Sequence, residues 1–372
     1  MLFFTTSYNL LIPEMNHFIS NLGGAGYKGM IIGLFTLSAG ISRPFSGKLA
    51  DIVGRKKVMF VGMAVCMVVS LIYPLSTSVW FFLALRFVHG FSTGFFPTGS
   101  TALVTDELPG NVRGSGMGLY GTFISLGIGI GQGLSSTVTT LLTTDGLFVT
   151  ASLLAIFSYI LSLKIQETLP NPQKFKWSFL KIKKDEVFEP AVIPVFIVMF
   201  LSASCSGVIF VLSPDIATYL KIENKGWFFL FYVVSTIAVR LFTGRLSDRI
   251  GRRQTLLIGM ILLSISMVTI GFSDSVLWFT LSAVLFGVAT GTTSPTIFAW
   301  TADLSPDHRR GIGAGTMFIA LEFGILFGSL VTGSIYNNTA GSVLNVFLFG
   351  GSMACLCVAY LVWHLLFRKS AT

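Results

Sequence analysis

Charged residues are scarce in this 372-residue chain, at 11%. Soluble domains carry about 25%, so a set of two or three ordinary water-soluble domains is excluded despite the length. Histidine and cysteine are rare too, with four of each. The histidines show no ligand spacing. Cys66, Cys205, Cys355 and Cys357 all lie inside apolar runs, and the last two point to different sides of a helix. No metal site, cofactor or disulfide framework is expected from them. Long polar stretches are missing, except over residues 166–189.

What fills the chain instead is apolar. Hydrophobic residues make up 53%, and Phe alone occurs 35 times. The excess falls in segments of about 20 residues, the length at which a helix crosses a bilayer. Twelve spans are expected, near residues 1–20, 29–50, 58–76, 79–104, 113–140, 146–165, 190–212, 227–247, 254–273, 275–301, 311–336 and 342–367. The fold class is therefore an all-α polytopic membrane protein with two six-helix halves, 1–165 and 190–372, joined by the linker 166–189. Trp177, Phe179 and Leu180 in that linker are expected at the membrane surface as a short amphipathic turn. Aligning Pro13-Glu14 with Pro214-Asp215 makes the first span about eleven residues shorter than the seventh. A first helix whose inner part precedes Met1 is the favoured expectation, a short first helix the alternative. No cationic stretch or cleavage pattern marks a signal peptide.

The formal charge of +9 invites a nucleic-acid partner. Its distribution argues against one. In the orientation that puts both termini inside, 19 of the 25 Lys and Arg fall in loops on one face. Lys28, Lys221 and Lys225 fall on the other. This is the positive-inside bias of a multi-pass protein, with its linker and both termini cytoplasmic.

One pattern occurs twice. Arg43-Pro-Phe-Ser-Gly47-Lys-Leu-Ala-Asp51-Ile-Val-Gly54-Arg55-Lys returns as Arg240-Leu-Phe-Thr-Gly244-Arg-Leu-Ser-Asp248-Arg-Ile-Gly251-Arg252-Arg. The offset of 197 residues continues without a gap through Gly90 and Gly287, Gly94 and Gly291, Asp106 and Asp303, Pro109 and Pro306, and Arg113 and Arg310. An ungapped match of this length marks a duplicated unit.

The doubled Gly-x-x-x-Asp-x-x-Gly-Arg loop, after spans two and eight, resembles the signature of the major facilitator superfamily. The likeness covers nearly the whole chain. It implies two pseudo-symmetric bundles rocking about a central solute site, in a monomeric transporter of the cell (inner) membrane. It also places Asp51 near the inner start of span eleven, around Gly311, where the positive end of a helix favours a carboxylate. Gly47 and Gly244 would let helices approach closely. Gly54 and Gly251 would permit the tight turn. Arg55 is expected to pair with Asp106, and Arg252 with Asp303, as gating contacts. The plainer alternative is that these basic loops only hold the topology.

Further residues follow from the same likeness. Arg86 to Gly94 resembles a second family motif, with His89 where Gln is frequent. An Arg inside a span costs several kcal/mol unless it meets polar company. A cavity-facing or coupling role competes with snorkelling to the surface. Gly118, Gly127 and Gly131 fit the glycine spacing of an antiporter motif. That motif expects Pro next, whereas Gln132 and then Ser135-Ser136 stand here. The glycines equally suit simple helix packing. Glu322, about 16 Å along span eleven, is the deepest acid. Arg43 is its expected partner, and Ser125 is its counterpart across the repeat. Glu14 and Asp215 follow prolines and are candidate entrance acids.

These residues suggest a secondary transporter moving a small solute, with proton-coupled efflux resembling bacterial drug and metabolite carriers. Import or facilitated diffusion remains the alternative, and a non-transporting sensor a distant one. No nucleotide-binding loop is present, so ATP drive is not expected, and with no nucleophile or metal cluster at span depth an enzyme is not expected either.

Overall fold

The structure is a computed structural model and describes residues 1–108, 113–183, 187–306 and 310–367. Pro109, Lys184 and the last five residues, which enter the repeat, the linker and the orientation above, lie outside the described residues. Among those described, every regular element is helical. Eleven α-helices follow in order: α1 (Leu2–Asn21), α2 (Lys28–Ile52), α3 (Arg55–Ile72), α4 (Val79–Glu107), α5 (Arg113–Ser162), α6 (Ile193–Tyr219), α7 (Trp227–Ile250), α8 (Arg252–Gly271), α9 (Val276–Leu304), α10 (Arg310–Ile335) and α11 (Ala340–Phe367).

Two expected spans, 113–140 and 146–165, meet in α5, which ends at Ser162, three residues before the expected bound. This stretch of 50 residues turns at Thr143, whose φ is 67°. Eight helical stretches among the described residues are long and apolar enough to cross a membrane. α1 and α2 do not reach that threshold, and the reason is their polar content: Asn9, Glu14 and Asn16 on α1, and Arg43, Lys48 and Asp51 on α2. On α7 the described apolar stretch is Trp227–Arg240.

The chain forms two compact units, Met1–Val187 and Phe188–Thr372. In the first, α1 packs along α5, α2 against α4, and α3 against α4 and α5. In the second, α6 packs along α10, α7 against α9, α8 against α9 and α11, and α6 also against α11. With the two arms of α5 matched to α10 and α11, the pairing scheme is the same. Local signals repeat with it. Ser78 caps α4 by accepting the Phe81 N–H at 3.3 Å, and Ser275 caps α9 by accepting the Trp278 N–H at 3.4 Å. Gly90 and Gly287 sit at the α2–α4 and α7–α9 crossings. A Cβ at either would strike backbone, the Phe35 carbonyl in one case and the Tyr232 carbonyl in the other.

The outside of each unit is apolar and the inside is partly polar. Trp80, Leu141, Phe242 and Leu366 are exposed, whereas Arg86, His89, Gln132, Ser204 and Thr316 are buried. Such a surface suits lipid, where backbone groups must be satisfied within each helix. Many buried hydroxyls return their hydrogen bond to their own helix, as Thr36 does to the Ile32 carbonyl and Thr332 to Gly328.

The linker turn expected at the membrane surface divides its side chains. Trp177–Leu180 is a short 3₁₀ turn. Phe179 and Leu180 pack on Leu49, Ala50, Val53 and Val58, while Trp177 is 80% exposed.

Candidate functional site

Each signature loop is built around an arginine that begins a helix. Gly54 precedes α3 with φ 131°, and Gly251 joins α7 to α8 with φ 96°. A side chain is strained at either value, so only glycine turns the chain here without penalty. Arg55 then holds Asp51 at 2.9 Å and, through Nε, Asp106 at 3.1 Å. Arg252 pairs likewise with Asp248 and, at 2.9 Å, with Asp303. The pairings with Asp106 and Asp303 are those expected from the repeat. The i,i+4 carboxylates Asp51 and Asp248 complete an arginine flanked by two aspartates in each unit. Gly47 behaves otherwise than expected: a Cβ there would meet nothing within 4 Å, so no close helix approach within this unit depends on it. Gly244 lies on α7.

Arg86 neither snorkels nor faces solvent; it is 1% exposed. Its Nε donates to the Ile31 carbonyl at 2.9 Å, and one Nη lies 3.3 Å from the Tyr73 hydroxyl. The guanidinium stacks 4.3 Å from the Phe35 ring centre. From there a buried chain continues. Tyr73 OH and His89 Nδ1 are 3.0 Å apart, His89 Nε2 and Cys66 Sγ 3.3 Å, and Cys66 Sγ and Ser7 Oγ 3.3 Å. Ser7 donates to the Ala151 carbonyl at 2.6 Å. The string thus ties α1, α2, α3, α4 and α5 together. The 197-residue offset puts Ala283, Phe286, Ile270 and Leu263 at the positions of Arg86, His89, Tyr73 and Cys66. All four are buried in the apolar core of the second unit. The same helix packing therefore forms without any of these polar groups.

The remaining candidates have their own settings. Gln132 donates to Asn9 Oδ1 at 2.7 Å between α5 and α1. Gly127 and Gly131 lie on the same crossing, close to the Leu2 and Thr6 carbonyls. Their repeat partners Gly324 and Gly328 crowd the Phe200 and Ser204 carbonyls in the same way, so this spacing serves helix packing in both units. Glu14 is buried and accepts the Ser136 hydroxyl at 2.8 Å. Asp215 is its counterpart and accepts the Tyr336 hydroxyl at 2.7 Å, with Tyr219 bonded to Tyr336 in turn. Glu322 is buried on α10, and Arg43 is half-buried on α2.

Comparison with known proteins decides the family. The profile described as Major Facilitator Superfamily matches residues 1–214 and again 195–372. The chain belongs to the major facilitator superfamily. Among its relatives, a multi-drug resistance efflux pump PmrA homolog of Lactococcus lactis is 24% identical over 99% of this chain and 93% of its own length. Multidrug resistance protein 2 of Bacillus subtilis is 26% identical over 92% and 87%. The staphylopine export protein of Staphylococcus aureus is 23% identical over 90% and 87%. The crystal structure of the human organic anion transporter MFSD10 superposes with a TM-score of 0.73 at 19% identity, covering 97% of this chain and 96% of that one. A major facilitator protein is a transporter rather than an enzyme.

Within this major facilitator chain, sequence reasoning found the two arginines of the signature loops and their distant aspartates. It missed Tyr73, Cys66, Ser136, Tyr336 and Glu167. Each completes a polar contact with a residue on another element of the fold. Tyr336 alone carried a legible signal: a tyrosine at a helix end, where its hydroxyl seeks a polar neighbour.

Proposed function

We propose that this chain exports a small solute across the membrane in exchange for protons, by alternating access across twelve helical crossings. The observation that carries the reading is the arginine held between two aspartates in each unit, at Arg55 and Arg252. Exposed ion pairs contribute about 0–1 kcal/mol each. Two such clusters, broken and remade, suffice to bias states that differ by a few kcal/mol. The names of the relatives, which concern multidrug efflux and export, support the outward direction. Glu322, Arg86 and His89 are the proposed coupling groups, with Arg43, Gln132 and Glu14 toward the solute path. The test is solute flux in vesicles holding the purified protein, with an imposed pH gradient of either sign. Uptake into vesicles that are acidic inside supports exchange; uptake only when protons and solute run the same way supports import instead. Flux indifferent to the gradient refutes coupling.

Import or facilitated diffusion is a second reading. It draws on Gln132, bonded to Asn9 where the antiporter pattern carries Pro.

Replacing Asp51 by Asn is expected to lower transport about tenfold, within the 1–3 kcal/mol typical of conformational coupling. The Asp51 side chain is 71% exposed, so the melting temperature should move by no more than a few degrees. Turnover near wild type in the folded variant would end the gating role. Asp248→Asn should be milder, because Ser125 occupies the position matching Glu322 and that gate has no titrating acid to answer to.

Both termini and the linker are proposed to face the cytoplasm. Ser342 is buried and bonded to the Thr339 carbonyl, so a cysteine label belongs on the open Gly341 instead. Impermeant maleimide added to sealed cells should label Gly341→Cys and spare Lys174→Cys. The reverse result inverts the topology.

A further inference from the structure

The segment that leaves α5 does not hang free. Lys56 Nζ donates to the Leu163 carbonyl at 2.9 Å. The Glu167 carboxylate accepts the backbone N–H of Arg55 on one oxygen at 2.9 Å and that of Lys56 on the other at 3.1 Å. The Thr168 hydroxyl donates at 2.7 Å to Asp106 Oδ2, the same oxygen that takes Arg55 Nε. Gln173 N–H reaches the Ile52 carbonyl at 2.9 Å, and Lys48 Nζ the Lys181 carbonyl at 2.7 Å. Phe179 and Leu180 close the far end on Leu49, Ala50 and Val53.

We infer that residues 163–181 form a strap over the α2–α3 signature loop, in which Glu167 is a positioning residue for the Arg55–Asp106 gate. The inference rests on the gating role proposed above for that ion pair. Arg55 and Lys56 stand in the first turn of α3, where backbone N–H groups have no partner within the helix. A carboxylate that accepts two of them makes charge-assisted bonds and lies at the positive end of the helix. Holding the backbone of residue 55 fixes where its guanidinium starts. Thr168, the next residue, orients the aspartate on which that guanidinium ends. One short stretch of linker therefore positions both members of the gate.

Gly54 reflects the same contact. A Cβ there would collide with the Glu167 carboxylate, so glycine is required by close approach as well as by its φ. At Gly251 the corresponding space is taken by Gln254 of the loop's own helix. The two loops share their arginine and aspartates, but a linker carboxylate caps the helix after the first, whereas a glutamine of α8 stands against the second glycine.

The experiment compares hydrogen exchange and transport in full-length Glu167→Ala and Glu167→Gln. In the Ala variant, amides of residues 55–58 should exchange about tenfold faster, as expected when a hydrogen bond to a charged group is lost. Amides 252–255 of the other unit should keep wild-type rates, and transport should fall about fivefold or more. Gln retains one carbonyl acceptor, so it should restore part of both readouts. If the Ala variant does not fold, the Gln variant carries the test with smaller changes of the same sign. Unchanged exchange at 55–58 overturns the clamp. Faster exchange with wild-type transport overturns the positioning role. An equal rise in both units reduces Glu167 to general stability and overturns it as well. Because exchange is read without transport, the strap and the gating reading fail separately: normal transport in Asp51→Asn with altered exchange in Glu167→Ala would sink only the latter.

Discussion

Glu322→Gln is expected to abolish solute accumulation driven by a pH gradient while leaving solute exchange at equilibrium in place. Glu322 is buried on α10, about 18 Å along the helix from Arg310. A carboxylate at such depth is costly in hydrocarbon and persists where protein or water receives it. In general a neighbouring cation favours a carboxylate's charged form and desolvation its neutral form. A conformational change that alters either balance makes the group take up or release a proton. Glutamine keeps the size and removes the titration, so the variant should fold with a melting temperature close to wild type. The vesicle assay with an imposed gradient decides it. Should the Gln variant still concentrate solute, the proton is carried elsewhere, and the buried Glu14 and Asp215 become the next candidates.

Arg86→Met is expected to eliminate coupled transport with little or no loss of stability. A buried charge gains from its partners but must first leave water. Replacing a buried ion pair with apolar side chains of similar volume is often neutral or stabilising, by about 1–4 kcal/mol; the contacts of Arg86 are neutral groups, so its replacement strands no opposite charge among them. The molecule contains its own control, since the second unit packs Ala283, Phe286, Ile270 and Leu263 where the first has Arg86, His89, Tyr73 and Cys66. The Tyr73 hydroxyl keeps His89 as a partner in the variant. Thermal unfolding of the purified protein and flux in vesicles are the two measurements. Wild-type flux would make the polar string a structural feature of the first unit. A large fall in melting temperature would instead show that Arg86 is a net contributor to stability, through Ile31, Tyr73 and Phe35.

How far the site could be read beforehand varied with sequence separation. The Arg55–Asp106 and Arg252–Asp303 pairs were legible because the duplication presented each twice at one spacing. The Gly54 and Gly251 turns were legible because few residues other than glycine end a helix at positive φ. Arg86 was legible as a problem but not as a solution. Nothing in the spacing of Ile31, Tyr73 and Phe35 announces that they surround it. Glu167 looked like one more polar residue in a linker, and its capping of α3 depends on the fold bringing it back across a separation of 112 positions.

What the sequence by itself determined is whatever depends on neighbours along the chain. Runs of apolar residues dictate helices of bilayer length, because backbone groups in lipid must be satisfied within the segment. The 197-residue offset dictates two like units, and the doubled signature points to the superfamily. Only the tertiary structure decided which polar groups meet. Asp215 takes the hydroxyl of Tyr336, Glu14 that of Ser136, and Cys66 joins His89 to Ser7. It also decided that α5 turns at Thr143 and that residues of the linker cap and pack on the first signature loop. The physical reason is range. Helix formation in an apolar medium is settled within a few residues. A hydrogen bond between two helices depends on their packing angle and offset, which the side chains along the whole crossing set together.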